Sequence, residues 1–183
     1  KNLQINIIAL TNFLEIIYFI KKKMKLFYAS SSHIFADTKK KTQNENTEPK
    51  FNSNYALSKY LGKEICDFYR NKRNIFCSTG IMYSHVSYLS KKKFLINEMI
   101  SQIKKNKKKI KVLNSKSKID LLSVNDVVEA MYNIMQQKKS DNFIISSKKL
   151  ISVKDIFLEL KKKTNKNLKL IDLKRNILNK NNS

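Results

Sequence analysis

The chain has 183 residues, 42% of them hydrophobic, with a formal net charge of +24, two cysteines, two glycines and one proline. That length and apolar content allow a real core and exclude wholesale disorder. Glycine stands only at positions 62 and 80, which excludes a glycine-rich phosphate loop, and Cys66 and Cys77 are too few for a disulfide framework and lack metal-ligand spacing, so they read as buried thiols in a reducing compartment.

Residues Leu3 to Ile20 form the most apolar stretch and approach the length of a membrane span. Gln4, Asn6, Thr11, Asn12 and Glu15 interrupt it, and a carboxylate in mid-helix costs about 2.5–3.5 kcal/mol to insert. No small-residue cleavage site follows, which argues against a signal peptide. Leu3, Ile7, Leu10, Leu14 and Ile17 recur at helical spacing and predict a helix lying on a sheet. A strand is expected at 25–29, a polar loop at 36–53, and a helix from Tyr55 to about Arg70. A strand at 75–79 precedes a loop to about Lys92 and a helix from Lys93 to Lys105. Strands at 110–113 and 119–122 come next, and Ser123 with Asp126 resembles a capping box opening the helix Val124–Gln137. A strand at 142–146 leads to a second such start, Ser152 with Asp155, and a helix to about Lys162. Residues 167–171 read as a last short strand, and the tail to Ser183 as loose. Alternating strands and helices predict an α/β fold with a doubly wound parallel sheet.

Lysine runs recur at 21–23, 39–41, 91–93, 107–109 and 161–163. They would suit phosphates, but they fall at the ends of different elements, without one basic face or interleaved stacking aromatics. Lysine, asparagine and isoleucine are abundant together throughout. The reading therefore favours solvated lysines over a nucleic-acid partner.

The chemistry gathers between Ser30 and Lys59. A buried strand spills into the serine-rich turn Ser30-Ser31-Ser32-His33, and Tyr55 and Lys59 sit one turn apart on one helix face. A phenol beside an ammonium is a route to an acid–base pair, because the positive charge favours phenolate. A serine at the strand end could hold the oxygen that such a tyrosine protonates or deprotonates. Alone, Tyr-x-x-x-Lys is more often a surface pair; the serine turn upstream adds the weight.

These residues resemble the catalytic core of the extended short-chain dehydrogenase/reductase (NAD-dependent epimerase/dehydratase) family, and within it the GDP-mannose 4,6-dehydratases. There a strand ends in A-S-T/S-S-E-x-Y/F, and Tyr-x-x-x-Lys follows at the separation seen between Ser31 and Tyr55. Asn6-Ile7-Ile8-Ala9 resembles the family's N/D-x-x-G/A segment, Asn44–Thr47 its E-x-T loop, and Ser53-Asn54-Tyr55 its S-P-Y. Gly80-Ile81-Met82-Tyr83-Ser84-His85-Val86-Ser87 is similar to G-I-L-F-N-H-E-S. Asp141–Ser146 and Ser152–Phe157 resemble D-F-V-I-A-T and S-V-R-x-F. The likeness runs from about Asn6 to Phe157.

The resemblance implies a partial NAD(P)-binding Rossmann sheet, N-terminally truncated, in a fragment or degenerate copy of a longer enzyme. Residues 1–82 would be what remains of the Rossmann domain, and 83–118 a substrate-binding insertion. Residues 119–147 would return to the sheet, and 148–183 would complete the substrate region and tail. It implies NADP as cofactor, GDP-mannose as substrate, a homo-oligomer in the full-length form, a cytoplasmic setting and no membrane. Tyr55 would be the general acid–base group, Lys59 would tune it and bond the nicotinamide ribose, and Ser31 would share the sugar's C4 oxygen. His33 stands where the family has the glutamate that removes the C5 proton. A neutral imidazole could do that work, or the enzyme no longer dehydrates; both stay open. His85 matches a histidine that contacts the cofactor, and Ser84, in an asparagine's place, falls to the substrate. Ile119-Asp120-Leu121 replaces R-D-W and loses an arginine suited to diphosphate. The implied reaction turns GDP-mannose into GDP-4-keto-6-deoxymannose and water. The alternatives are an epimerase or 4-reductase of the same family, or a basic binding protein that has kept only the fold.

Overall fold

Strands and helices alternate in the computed structural model, which describes residues 3–20, 23–36, 38–39, 42–91 and 94–173. A π-helical turn, Gln4–Ala9, runs into α1 (Leu10–Ile20), followed by β1 (Lys25–Ser31) and a 3-10 turn (Ser32–Phe35). Then come α2 (Asn54–Arg73), β2 (Phe76–Met82), β3 (Ser84–Val86), α3 (Leu95–Lys104), β4 (Lys109–Val112) and β5 (Lys118–Ser123). The chain continues through α4 (Val124–Gln136), β6 (Asn142–Ile145), β7 (Leu150–Ser152), α5 (Val153–Thr164) and β8 (Lys169–Asp172). The described residues form two compact units. One runs to Ser84 and adds Val124–Ser146; the other comprises His85–Ser123 and the residues from Ser147 onward.

The first unit is built on a parallel sheet in the order β1-β2-β6, with Leu26 opposite Cys77, Ala29 opposite Gly80 and Gly80 opposite Phe143. Alternation along β1 sends Leu26 and Tyr28 to one face, where they meet Leu10, Leu14 and Ile17 of α1 and Cys66 and Tyr69 of α2. Each such side chain, fully buried, contributes about 1.5–3 kcal/mol, and this burial is what holds α1 to the unit. From the opposite face, Lys25 donates to the carbonyls of Met135 and Gln137 at the end of α4, at 2.6 and 3.2 Å, where a cation also suits the helix dipole. Helices thus cover both faces of the parallel sheet, as expected of this α/β class. Both cysteines are free and buried; the hydrogen bond with Cys77, together with burial, pushes the Cys66 thiol up.

One polar knot ties α2 to β6. The Asp67 carboxylate accepts from Lys63 at 2.7 Å, from the Arg70 guanidinium, and from Asn142 Nδ2 at 3.0 Å. Burial alone would raise the Asp67 pKa, but the hydrogen bonds from Lys63, Arg70 and Asn142 outweigh it and hold the carboxyl below the usual range.

The second unit pairs β4 with β8 in parallel and β5 with β7 antiparallel, with β3 on the other side of β5. Its core joins Met99 and Ile103 of α3, Ile110 and Val112 of β4, and Val153, Ile156 and Phe157 of α5. The Ser152–Asp155 capping box forms as the sequence predicts, with Ser152 Oγ accepting from Asp155 N–H at 3.0 Å. Lys161, Lys162 and Lys163 lie in the last turn of α5, favourably placed against its dipole.

Several boundaries differ from expectation. β1 and β2 run on to Ser31 and Met82, and the short strands β3 and β7 were not anticipated. Ile119–Ser123, expected to begin the return to the Rossmann sheet, instead lies in the second unit, where β5 finds its ladder partners. The expected helix start at Lys93, the loose tail 174–183, and Lys21, Lys22, Lys40, Lys41 and Lys92 of the lysine runs lie outside the described residues. Among the described residues no helix is long and apolar enough to cross a membrane, and α1 turns Leu10, Leu14 and Ile17 into the core.

Candidate active site

The C-terminal ends of parallel strands open on one edge of a sheet, where an α/β fold binds its ligands. β1 reaches that edge at Ser31, paired with Met82. There the backbone turns sharply, and Ser31 Oγ accepts from His33 N–H at 3.3 Å, capping the 3-10 turn. The hydroxyl proton of Ser31 remains to be donated.

The partner element is α2. Ser53 Oγ accepts from Ala56 N–H at 3.2 Å and fixes the first turn, which carries Tyr55. Ser58 Oγ donates to the Tyr55 carbonyl at 2.7 Å and accepts from Asn6 Nδ2 at 3.0 Å, so this turn is tied back to the π-helical segment. Tyr55 is 40% exposed. Its ring meets the exposed His33 imidazole edge to face, with centroids 5.9 Å apart and planes at 81°.

One turn along, Lys59 extends over the end of β1. Its Nζ donates to the Ala29 carbonyl at 2.8 Å and lies 5.2 Å from the Tyr28 ring centroid and 5.8 Å from that of Tyr55. Burial pushes the Lys59 ammonium pKa down. Ser30 Oγ donates to the Lys59 carbonyl at 3.2 Å, a second tie between strand and helix. Ser31, His33, Tyr55 and Lys59 are thus brought together by a chain of contacts within the first unit. Ser84 stands exposed past the end of β2, and His85 is the first residue of the second unit.

Between β1 and α2, the segment Asn44–Thr47 packs down. Thr47 is buried, and its Oγ1 donates to Asn44 Oδ1 at 3.1 Å while accepting from Asn44 N–H at 2.8 Å. Glu45 accepts from the Ile144 N–H at 2.8 Å. In the second unit the buried Asp120 accepts from Ser147 N–H at 2.8 Å, a structural tie.

The sequence reading missed Tyr28 and the Ala29 carbonyl, which hold Lys59. One signal pointed there: Gly62 stands in mid-helix, where glycine costs about 1 kcal/mol relative to alanine. A methyl at Gly62 would collide with the Tyr28 hydroxyl and Cζ and come within 2.9 Å of the Asn6 carbonyl oxygen. Both glycines lie within regular elements, α2 and β2, and neither has a positive φ.

A family model described as GDP-mannose 4,6 dehydratase matches residues 1–181. GDP-mannose 4,6 dehydratase 2 of Caenorhabditis elegans is 27% identical over 140 residues, covering 74% of this chain and 37% of that protein. The chain therefore spans well under half the length of this relative. Among solved structures, RMD from Pseudomonas aeruginosa complexed with NADPH superposes with a TM-score of 0.87 at 18% identity, over 94% of this chain and 60% of that one. UDP-glucuronic acid 4-epimerase from Bacillus cereus, in complex with UDP-glucuronic acid and NAD, gives 0.82 at 21% identity, over 92% and 54%. At such identities the structural likeness establishes the shared fold.

Proposed function

As this chain belongs to the GDP-mannose 4,6-dehydratase family, we propose that its Tyr55 site serves a nicotinamide-dependent dehydratase converting GDP-mannose to GDP-4-keto-6-deoxymannose and water. The observation that carries the reading is the exposed Tyr55 phenol set between His33 and Lys59 at the end of a parallel strand, with Lys59 anchored on Ala29. An ammonium and a phenol on one helix face suit the hydroxyls of a nicotinamide ribose, so Tyr55 and Lys59 fit that end of the cofactor. The pyrophosphate is not served by a glycine turn of this chain, since Gly62 and Gly80 are built into α2 and β2. Held by Tyr55 and Lys59, a nicotinamide would supply the hydride chemistry between the sugar's C4 and C6. NADP is the expected form.

Each residue then has a defined task. Tyr55 Oη takes the proton of the C4 hydroxyl as hydride leaves. Ser31 Oγ donates to the same oxygen and orients it. Lys59 holds positive charge beside the phenol and bonds the ribose. His33, facing Tyr55, takes the C5 proton so that the C6 hydroxyl departs as water. Segments 83–118 and 148–183 are assigned to substrate binding, with Ser84 on the sugar and His85 on the cofactor. Histidine in place of the family's glutamate favours one second reading, an epimerase or 4-reductase, which needs Tyr55 and Lys59 but no base at C5.

The test is to incubate the full reading frame that carries this chain with GDP-mannose and NADP and to follow the sugar by mass. Loss of one water, abolished by Tyr55→Phe, is the expected result. Turnover of 4-keto or 4-hydroxy sugars without loss of water would replace the dehydratase by the second reading.

A further inference from the structure

Tyr28 is 7% exposed, and its hydroxyl is buried without a hydrogen-bond partner among the described residues. A buried orphan hydroxyl costs about 1–3 kcal/mol; the ring is the part of this side chain that meets Lys59. Two neighbours bracket it. On one side Lys59 Nζ lies 5.2 Å from the ring centroid, inside the range of about 6 Å for a cation held on an aromatic face. On the other stands Gly62, three residues along α2, where any Cβ would strike the Tyr28 hydroxyl and Cζ. The next residue of β1, Ala29, offers Lys59 its carbonyl at 2.8 Å. Consecutive positions of one strand therefore supply a ring face and an acceptor to the same ammonium.

We infer that Tyr28 is a positioning residue: its ring face holds the Lys59 ammonium beside Tyr55, and Gly62 leaves the room that keeps the ring there. The inference rests on the reading of Lys59 as part of the active site. Burial works against the charge on Lys59, and the ring and the carbonyl are the groups that offset it. Burial, with the nearby Cys66 and Tyr55, pushes the Tyr28 phenol well above its ordinary value, so it stays neutral and offers only its π face. With the Tyr28 ring gone, a flexible four-carbon stem would be left on the Ala29 carbonyl and the more distant Tyr55 ring, 5.8 Å from Lys59 Nζ.

The experiment is nuclear magnetic resonance on protein labelled with carbon-13 at lysine Cε, with the Lys59 signal assigned by its loss in Lys59→Arg. Native protein should show the Lys59 methylene shifted upfield by the ring and a nuclear Overhauser contact to the Tyr28 ring protons. Tyr28→Phe should keep the upfield shift and the Lys59 titration midpoint. Tyr28→Leu should reduce the shift to what the more distant Tyr55 ring supplies and lower the midpoint by about half a unit, the size expected of an aromatic face. In the full reading frame, Tyr28→Leu should lower kcat about tenfold with KM little changed, and Tyr28→Phe should restore it. Absence of the native contact, which needs no variant to fold, overturns the inference; so does a Tyr28→Leu protein with an unmoved Lys59 signal. If the Lys59 signals behave as expected but no variant or native protein turns over a nucleotide sugar, the proposed function fails and the hold of Tyr28 on Lys59 stands.

Discussion

Gly62→Ala offers a sharp test of how the site is packed. In an ordinary helix interior this change stabilises by about 1 kcal/mol. Here the new methyl would collide with the Tyr28 hydroxyl and Cζ and approach the Asn6 carbonyl oxygen to 2.9 Å. Tyr28 cannot swing away, because its ring is packed with Leu10, Leu14 and Cys66, and the Asn6 carbonyl is backbone. Overpacking of that kind costs about 1–3 kcal/mol, and the upper half of that range, less the propensity gain, leaves a net loss of about 1–2 kcal/mol. For a chain of this size that lowers the melting temperature by roughly 3–6 °C. The assay is thermal and urea unfolding of four proteins: native, Gly62→Ala, Tyr28→Leu and the pair. In the Tyr28→Leu background only the 2.9 Å approach to the Asn6 carbonyl remains, so the alanine should cost clearly less than in the native background, giving a coupling of about 1 kcal/mol. A Gly62→Ala protein as stable as native, or additive effects in the cycle, would refute the account of Tyr28 and Gly62.

Asp67→Asn should cost about 2–3 kcal/mol at neutral pH, since it strips charge from hydrogen bonds to Lys63 and Arg70. The Asp67 carboxyl is depressed in the folded chain, so its contribution is complete above the ordinary value of 3.8 and is lost as pH falls through the lower folded value. Urea midpoints of native protein should therefore fall in that acid window, and those of Asp67→Asn should fall less; parallel profiles would remove Asp67 as the cause. In the full reading frame, Tyr55→Phe should reduce turnover at least 100-fold, in the usual range of about 10²–10⁴ for a lost acid–base group; a rate within tenfold of native would dismiss Tyr55. His33→Glu should keep or raise dehydration and His33→Ala should remove it, and unchanged dehydration in His33→Ala would take the base role from His33. The chain by itself should bind NADP(H) more weakly than micromolar, and calorimetric titration showing micromolar or tighter binding would contradict that expectation.

Local chemistry made much of the fold legible. The Ser152–Asp155 box and the apolar spacing of Leu10, Leu14 and Ile17 are signals carried within one turn or face, and each appears in the structure. β3 and β7 were not visible because three residues give no alternation to count. The place of β5 was misread for a related reason: strand pairing is non-local, and Ile119 opposite Ile151 is fixed by the fold rather than by either segment. At the candidate site, Tyr55 and Lys59 stood out by their spacing only together with the serine turn upstream. The partner that anchors Lys59 did not, because Ala29 lies 30 residues away and contributes a backbone carbonyl, which any residue type carries. Gly62 was the one local hint, an unexplained glycine in a helix, and its reason became readable only beside Tyr28.

The most direct measurement uses GDP-mannose carrying deuterium at C4, incubated with NADP and the full reading frame. A 4,6-dehydratase moves that hydrogen within one active site from C4 to C6 while water leaves. The account predicts GDP-4-keto-6-deoxymannose with the deuterium at C6, formed by native protein and not by Tyr55→Phe. A sugar converted without loss of water and still carrying the deuterium at C4 would contradict it and make the enzyme an epimerase of the same fold, and recovery of unchanged GDP-mannose alone would contradict it as well.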